Sequence, residues 1–302
     1  MDKKSKVNNH DFPTVLRLVA ISLIVANHFD MFDYGGGGSE LLMLMVGYNI
    51  ATFKIKAILD VDSASPIIGL IIKVMIPTIG FLLILQLYYD SFMWSTILLV
   101  SNFFDEGHPM GFSYWFINVY VQILLFVFIL LSIKPVRDLI RNNRKLFSFL
   151  LVIFSMLIYV TVEMFWDTHY LYRRVPHAML WMFSFGFAAR YMDNTLSRSV
   201  LSILFALMSY IYFDSLVGIF FICTIFLIFD FKLVIPKVIK KPVYILSLSS
   251  LFIYLTHFQV KSIMEKIIPN QPEVYLIVAL LFGAVVNFFY SRAYKHVKEK
   301  LT

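Results

Sequence analysis

Long apolar runs separated by short basic gaps are the feature that most restricts the fold of this chain. Hydrophobic residues make up 60% of its 302 positions and charged residues only 15%, whereas soluble domains carry roughly 25% charged residues. The excess apolar surface must therefore face lipid. A lipid-embedded chain forms helices or a closed barrel, because its backbone groups find no water to bond. The runs are longer than barrel strands and do not alternate, so the sequence predicts helices.

The runs define an all-α, polytopic membrane protein with one transmembrane domain over 1–302. A further apolar stretch, 92–104, would extend only ~20 Å as a helix against the ~30 Å hydrocarbon core. We predict that this stretch is re-entrant or interfacial. Asp214 is the only polar break in 198–231, which we interpret as two spans with an outer turn. The ten predicted spans are 12–30, 40–55, 66–88, 112–133, 146–165, 177–192, 198–213, 215–231, 243–261 and 274–291.

The distribution of Lys and Arg predicts the orientation in a plasma membrane. With the N-terminus in the cytoplasm, 20 of the 26 basic residues fall in inner gaps and four in outer gaps, namely Arg173, Arg174, Lys261 and Lys266. Cytoplasmic loops are enriched in basic residues, so both ends are predicted to be cytoplasmic. The basic residues punctuate the apolar runs instead of clustering in one segment. We therefore do not interpret the net charge of +7 as a nucleic-acid surface.

Charged groups inside spans are costly and usually functional, and the first span contains Arg17 and His28. Eleven positions correspond to three helical turns plus about 20°, so the two side chains share one face, ~16 Å apart along the axis. Arg17 falls toward the cytoplasmic end and His28 toward the outer end. Two interpretations stay open: a functional stripe, or a snorkelling arginine with an interfacial histidine.

Other polar groups fall at matching depths. Lys73 lies in the inner third of the third span, and two cations there would suit a phosphate-bearing ligand. Tyr254 and His257 share a face of the ninth span. Arg173 and Arg174 follow several aromatics in an outer loop, where they would bind a sugar, carboxylate or phosphate, or simply mark the membrane interface. With Cys223 as the only cysteine, no intrachain disulfide or thiolate metal site is expected.

Four segments together resemble the acyltransferase-3 family of bacterial membrane O-acyltransferases. The first span resembles that family's opening helix, in which an arginine is followed after ten residues by a histidine. The other three are a basic residue followed by proline in the third span, a Trp-Phe helix entry and a late Tyr-Leu-x-His helix. In this chain the segments read PTVLRLVAISLIVANHF, IIKVMIPTIGF, SYWFINVYVQILLF and SLSSLFIYLTHFQV.

The chain departs from the family pattern at two places. The second span reads Val46-Gly47-Tyr48 where Ser-Gly-Phe is usual, and Lys73 is the one cation where arginines cluster. These departures affect the expected inner ligand contacts more than the histidine.

The resemblance implies ten helices, cytoplasmic ends and transfer of an acyl group, most often acetyl, from cytoplasmic acyl-CoA to an extracytoplasmic glycan hydroxyl. Acetyl-CoA would then be a co-substrate, and no metal is expected. By this resemblance Arg17 and Lys73 would bind the phosphates of CoA, and His28 would act as general base. His257 and Tyr254 would stabilise the oxyanion or bind the acceptor. Trp115, Arg173 and Arg174 would contact the acceptor.

Two other classes of protein remain alternatives. A transporter or flippase of lipid-linked sugars would favour internal repeats with paired broken helices, and we find no convincing repeat between the halves. A non-catalytic membrane scaffold or sensor has little use for Arg17 and His28 on one stripe. The sequence does not distinguish capsule, O-antigen or a lipid-linked sugar as acceptor.

Overall fold

Every regular element in the described part of the chain is helical. The computed structural model describes residues 11–31, 37–104, 114–166, 168, 174–213 and 218–301. A single 3-10 turn, Ser101–Phe103, accompanies the α-helices. The helices are α1 Phe12–His28, α2 Gly38–Phe53, α3 Ile55–Asp60, α4 Ser65–Tyr88, α5 Trp94–Ile97, α6 Trp115–Ser132, α7 Lys134–Asn142, α8 Arg144–Phe165, α9 Pro176–Ala189, α10 Thr195–Phe213, α11 Gly218–Ile228, α12 Lys237–Leu248, α13 Ser250–Ile267 and α14 Pro272–Leu301.

The apolar helices are compatible with a membrane-embedded protein. Five helices in the described residues are long and apolar enough to cross a bilayer, or six if α12 and α13 count as one bent span. Each of the ten predicted segments contains a helix. However, α1 and α11 are shorter apolar helices of 17 and 11 residues. The all-helical class is confirmed, while the count of ten spans and the position of the ends stay predictions.

The ninth predicted segment is not one uninterrupted helix. It begins earlier than predicted, at Lys237, and bends by 75° between α12 and α13. At the bend, Ser249 donates its hydroxyl to the carbonyl of Ile245 at 2.7 Å and accepts a bond from Asn287 at 3.1 Å. Serine hydroxyls that bond back to the preceding turn bend helices. Hydropathy alone does not reveal such a break.

The chain divides into two compact units. The first combines the residues up to Leu42 with those from Gly218 onward, and therefore contains α1 and α11 to α14. The second runs from Met43 to Val217 and contains most of α2 together with α3 to α10. Arg17, His28, Tyr254 and His257 belong to the first unit, and Lys73, Trp115 and Arg174 to the second.

Within the first unit, Asp11 connects the start of α1 to α12. Its carboxylate is fully buried and accepts hydrogen bonds from the backbone N–H of Ile235 at 2.9 Å, the hydroxyl of Tyr244 at 2.7 Å and the ammonium of Lys240 at 3.1 Å. Burial by itself would raise the pKa of Asp11, but these hydrogen bonds together lower it below its ordinary value. The ionised carboxylate therefore fixes the orientation of α12 against α1.

Candidate active site

The helix α1 is continuous, as a shared face for Arg17 and His28 requires. Pro13 lies in the first turn, where its missing N–H costs nothing because that N–H would have no partner within the helix. The helix then runs without a break to His28, and the chain leaves it through Asp30, whose φ is 57°. Helical geometry therefore places Arg17 and His28 on one face, as the sequence predicts. Arg17 and His28 are both partly buried.

His28 pairs with a second histidine, His257 of α13. The Nδ1 atom of His28 lies 2.7 Å from Nε2 of His257. The two rings are nearly parallel, with centroids 4.9 Å apart. His257 is fully buried, and the ring of Phe258 contacts both imidazoles. Two residues separated by 229 positions in the sequence thus form one site.

The hydrogen bonds determine which nitrogen of each ring carries the proton. Nδ1 of His257 lies 2.6 Å from the carbonyl oxygen of Tyr254, which can only accept. Neutral His257 is therefore protonated at Nδ1 and accepts at Nε2. Its partner, His28, must then donate from Nδ1. In its neutral form His28 consequently carries its basic lone pair on Nε2.

Lys261 holds the end of α1 where His28 lies. Its ammonium donates to the carbonyl oxygen of His28 at 2.8 Å and to the carboxylate of Asp30 at 2.9 Å. A cation at the last carbonyls of a helix satisfies acceptors that have no partner inside the helix. The charge pattern of the sequence indicates only that Lys261 is one of the four basic residues in outer gaps. Its position one turn after His257 is the signal that would have pointed to the site.

Tyr254 lies beside His257, as their spacing predicts. It is 2% exposed, and its ring centroid is 5.6 Å from that of His257. Its backbone carbonyl, not its hydroxyl, makes the bond to the imidazole. Tyr254 therefore fixes His257, whereas the predicted role of its side chain with the acceptor or oxyanion stays a prediction.

Lys73 lies in the second unit, on an exposed face of α4 together with Ile72 and Ile76. It forms no ion pair or hydrogen bond with the part of the chain that the structure describes. An exposed lysine within an apolar helix is in the position from which side chains snorkel to headgroups. The predicted contact of Lys73 with CoA phosphates therefore gains no support from its position and stays a prediction.

Trp115 and Arg174 come together in the second unit. The guanidinium of Arg174 lies 5.5 Å from the centre of the Trp115 ring, within the range of a cation–π contact. Asn102 donates to the carbonyl oxygen of Arg174 at 3.1 Å and exchanges two hydrogen bonds with Gln122 of α6. This network positions Arg174 beside the start of α6. The other predicted acceptor contact, Arg173, lies outside the described residues.

A second polar cluster in the same unit was not predicted. Glu163, in the fifth predicted span, accepts from the backbone N–H and the hydroxyl of Thr168. Its carboxylate also lies 3.4 Å from Nε2 of His177. The signal was available, because an acidic residue within an apolar span is costly. At this position the carboxylate of Glu163 can accept hydrogen bonds, and the imidazole of His177 can donate or accept one.

Comparisons with protein-family models, with curated proteins and with solved structures returned no match. The class defined by the described residues is an all-helical protein compatible with a membrane, in which His28 and a fully buried His257 form a pair in one unit.

Proposed function

We propose that this protein is an O-acyltransferase of the plasma membrane that transfers an acyl group, most often acetyl, from cytoplasmic acyl-CoA to a hydroxyl of an extracytoplasmic glycan. The observation that carries the proposal is the bond between His28 and His257, because it leaves a basic nitrogen on His28 at the end of a helix that also contains Arg17. The resemblance of the four sequence segments to membrane O-acyltransferases supports the same reaction.

In the proposed reaction Nε2 of His28 accepts the proton of the acceptor hydroxyl. The hydroxyl oxygen then forms a bond to the thioester carbonyl carbon, and the carbon–sulfur bond breaks. The CoA sulfur takes up the proton from the His28 imidazolium, so the products are an ester and free CoA. An imidazole can both accept a proton and give it back, so one side chain serves both steps.

His257 and Arg17 have separate roles in this proposal. Accepting the Nδ1–H of His28, His257 keeps the basic nitrogen at Nε2 and stabilises the imidazolium that forms during transfer, as the third member of a catalytic triad does. Arg17 would bind a phosphate of CoA from the cytoplasmic side. Arg174 and Trp115 would bind the acceptor. Lys73 is proposed as a second phosphate ligand, and only the resemblance of the sequence segments to the acyltransferase-3 family supports this role.

The test is NMR of surface glycans from cells that express wild-type protein or the His28→Ala variant. We expect the wild type to add O-acetyl signals and His28→Ala to lose them, since general base catalysis contributes about 10²–10⁴-fold. His296→Ala is the matched control, because this histidine lies exposed near the end of α14, and it should retain the signals.

The glycan spectra also separate the proposal from its alternatives. A flippase that lost function would leave cells without surface polymer, whereas an inactive acyltransferase leaves the polymer present and unmodified. Equal acetylation by His28→Ala and wild type, at equal protein levels in the membrane, would remove His28 from the mechanism.

A further inference from the structure

The outward face of α12 is apolar. Val238, Ile245 and Leu248 are 88%, 45% and 63% exposed, and at spacings of seven and three they share one face of the helix. Three exposed aliphatic side chains on one short helix are unfavourable in water but favourable against acyl chains. This face of α12 therefore fits the hydrocarbon of a bilayer.

A neighbouring face of α12 is attached to the protein. Lys240, Tyr244 and Ser247 follow one another at spacings of four and three, so they share this face. Lys240 and Tyr244 bond to buried Asp11, and Ser247 is itself buried. The hydrogen bonds of Lys240 and Tyr244 to Asp11 prevent α12 from rotating its apolar face toward the protein interior.

Two lysines in the first half of α12 lie on the same side of the helix as Ile245 and Leu248, because Lys241 precedes these residues by four and seven positions. Lys237 and Lys241 are one helical turn apart and both exposed, and neither forms an ion pair with the residues that the structure describes. Lys240, in contrast, is paired with Asp11 at 3.0 Å. Lysine side chains beside an apolar stripe extend their ammonium groups to the headgroup layer. Lys237 and Lys241 are thus in position for an anionic group at that level.

We propose that α12 binds anionic phospholipid of the cytoplasmic leaflet, with Lys237 and Lys241 at the headgroup phosphate and Val238, Ile245 and Leu248 at the acyl chains. The combination selects a lipid, since a soluble phosphate would use the lysines and leave the apolar face uncovered. The cytoplasmic side follows from the distribution of basic residues. This site is independent of the proposed acyl transfer.

The test is a native mass spectrometry titration of the full chain in neutral detergent with phosphatidylglycerol. A lysine near an anionic headgroup contributes about a fivefold gain in affinity. We therefore expect the double variant Lys237→Gln, Lys241→Gln to bind phosphatidylglycerol about 25-fold more weakly than the wild type. The Lys237→Arg, Lys241→Arg variant should bind like the wild type. Phosphatidylcholine should show no difference among the three proteins.

The matched control removes the same charge at two paired lysines, Lys56 and Lys145, which bind Asp60 and Asp193. The Lys56→Gln, Lys145→Gln variant should retain wild-type affinity. Equal weakening in this control would show a non-specific charge effect and overturn the proposal. The proposal would also be overturned if the Lys237→Gln, Lys241→Gln variant lost CoA binding but retained phosphatidylglycerol binding. Monodisperse elution and an unchanged melting temperature check that each variant is folded.

Discussion

At the scale of single residues, the chemistry of His28 depends on a neighbour that contacts neither CoA nor glycan in the proposed reaction. His257 is fixed by the carbonyl of Tyr254 and in turn fixes the proton of His28. A buried group that acts through another side chain is a positioning residue. Its loss should change the rate of transfer more than the binding of the donor.

Replacement of His257 tests this positioning role. His257→Leu removes the imidazole that accepts from Nδ1 of His28, so the imidazolium formed during transfer loses this hydrogen bond and kcat should fall about 100-fold. His257→Gln offers a side-chain oxygen to the same proton and should recover part of the rate. The measurement is acyl-CoA turnover against pH in membranes, with KM for acyl-CoA expected to stay unchanged.

A purely structural role for His257 would give a different result. The Leu and Gln variants would then lose activity in proportion to protein level, without a change in the pH profile. Thermal unfolding in detergent, measured on the same preparations, separates these outcomes.

The sequence predicts part of the candidate site at this scale. The spacing of Arg17 and His28 depends only on helix geometry, and the structure confirms the helix. The contact of His28 with His257 depends on how α1 and α13 pack, which no local pattern encodes. For the same reason the bonds of Lys261 to His28 and Asp30 were not predicted.

At the scale of helices, the close approach of α2 and α9 depends on two glycines. A methyl group added at Gly47 would overlap the carbonyl oxygen of Phe183, and one added at Gly186 would overlap that of Leu44. Small residues at such crossings allow helix backbones to touch. This contact is a packing reason for the glycine in the second predicted span.

Gly47→Ala should therefore destabilise the protein. The added methyl group forces α2 and α9 apart, and overpacking of this kind costs about 3 kcal/mol. Gly69→Ala is the matched control, because a methyl group there meets nothing within 4 Å and alanine favours the helix. Unfolding midpoints in detergent should fall for the first variant and stay level or rise for the second. Equal unfolding midpoints for Gly47→Ala and Gly69→Ala would contradict the close contact between α2 and α9.

Hydropathy predicts where these helices occur better than where they break. A run of apolar residues requires a helix in lipid, and each of the ten predicted segments contains one. The bend lies at Ser249, whose hydroxyl bonds to Ile245 and Asn287, and such local contacts are invisible to a hydropathy average over a long window. The short polar helix α7 was not predicted, because it lacks an apolar run.

At the scale of the whole molecule, the proposed reaction transfers an acyl group from a coenzyme thioester on the cytoplasmic side to an acceptor on the other side. The distribution of basic residues predicts this sidedness, with 20 in inner gaps and four in outer gaps. The residues proposed for the donor and for proton transfer, Arg17 and His28, are both on α1. The reaction should therefore depend on His28 and on a donor supplied from the cytoplasmic face.

Inside-out membrane vesicles from cells that make the protein give the most direct test, because their cytoplasmic face is accessible to added acetyl-CoA labelled in the acetyl group. We expect label in alkali-labile esters of lumenal glycan with wild-type protein and none above background with His28→Ala. Equal labelling by the two proteins, or no labelling by either in vesicles that contain the glycan, would contradict the proposed reaction.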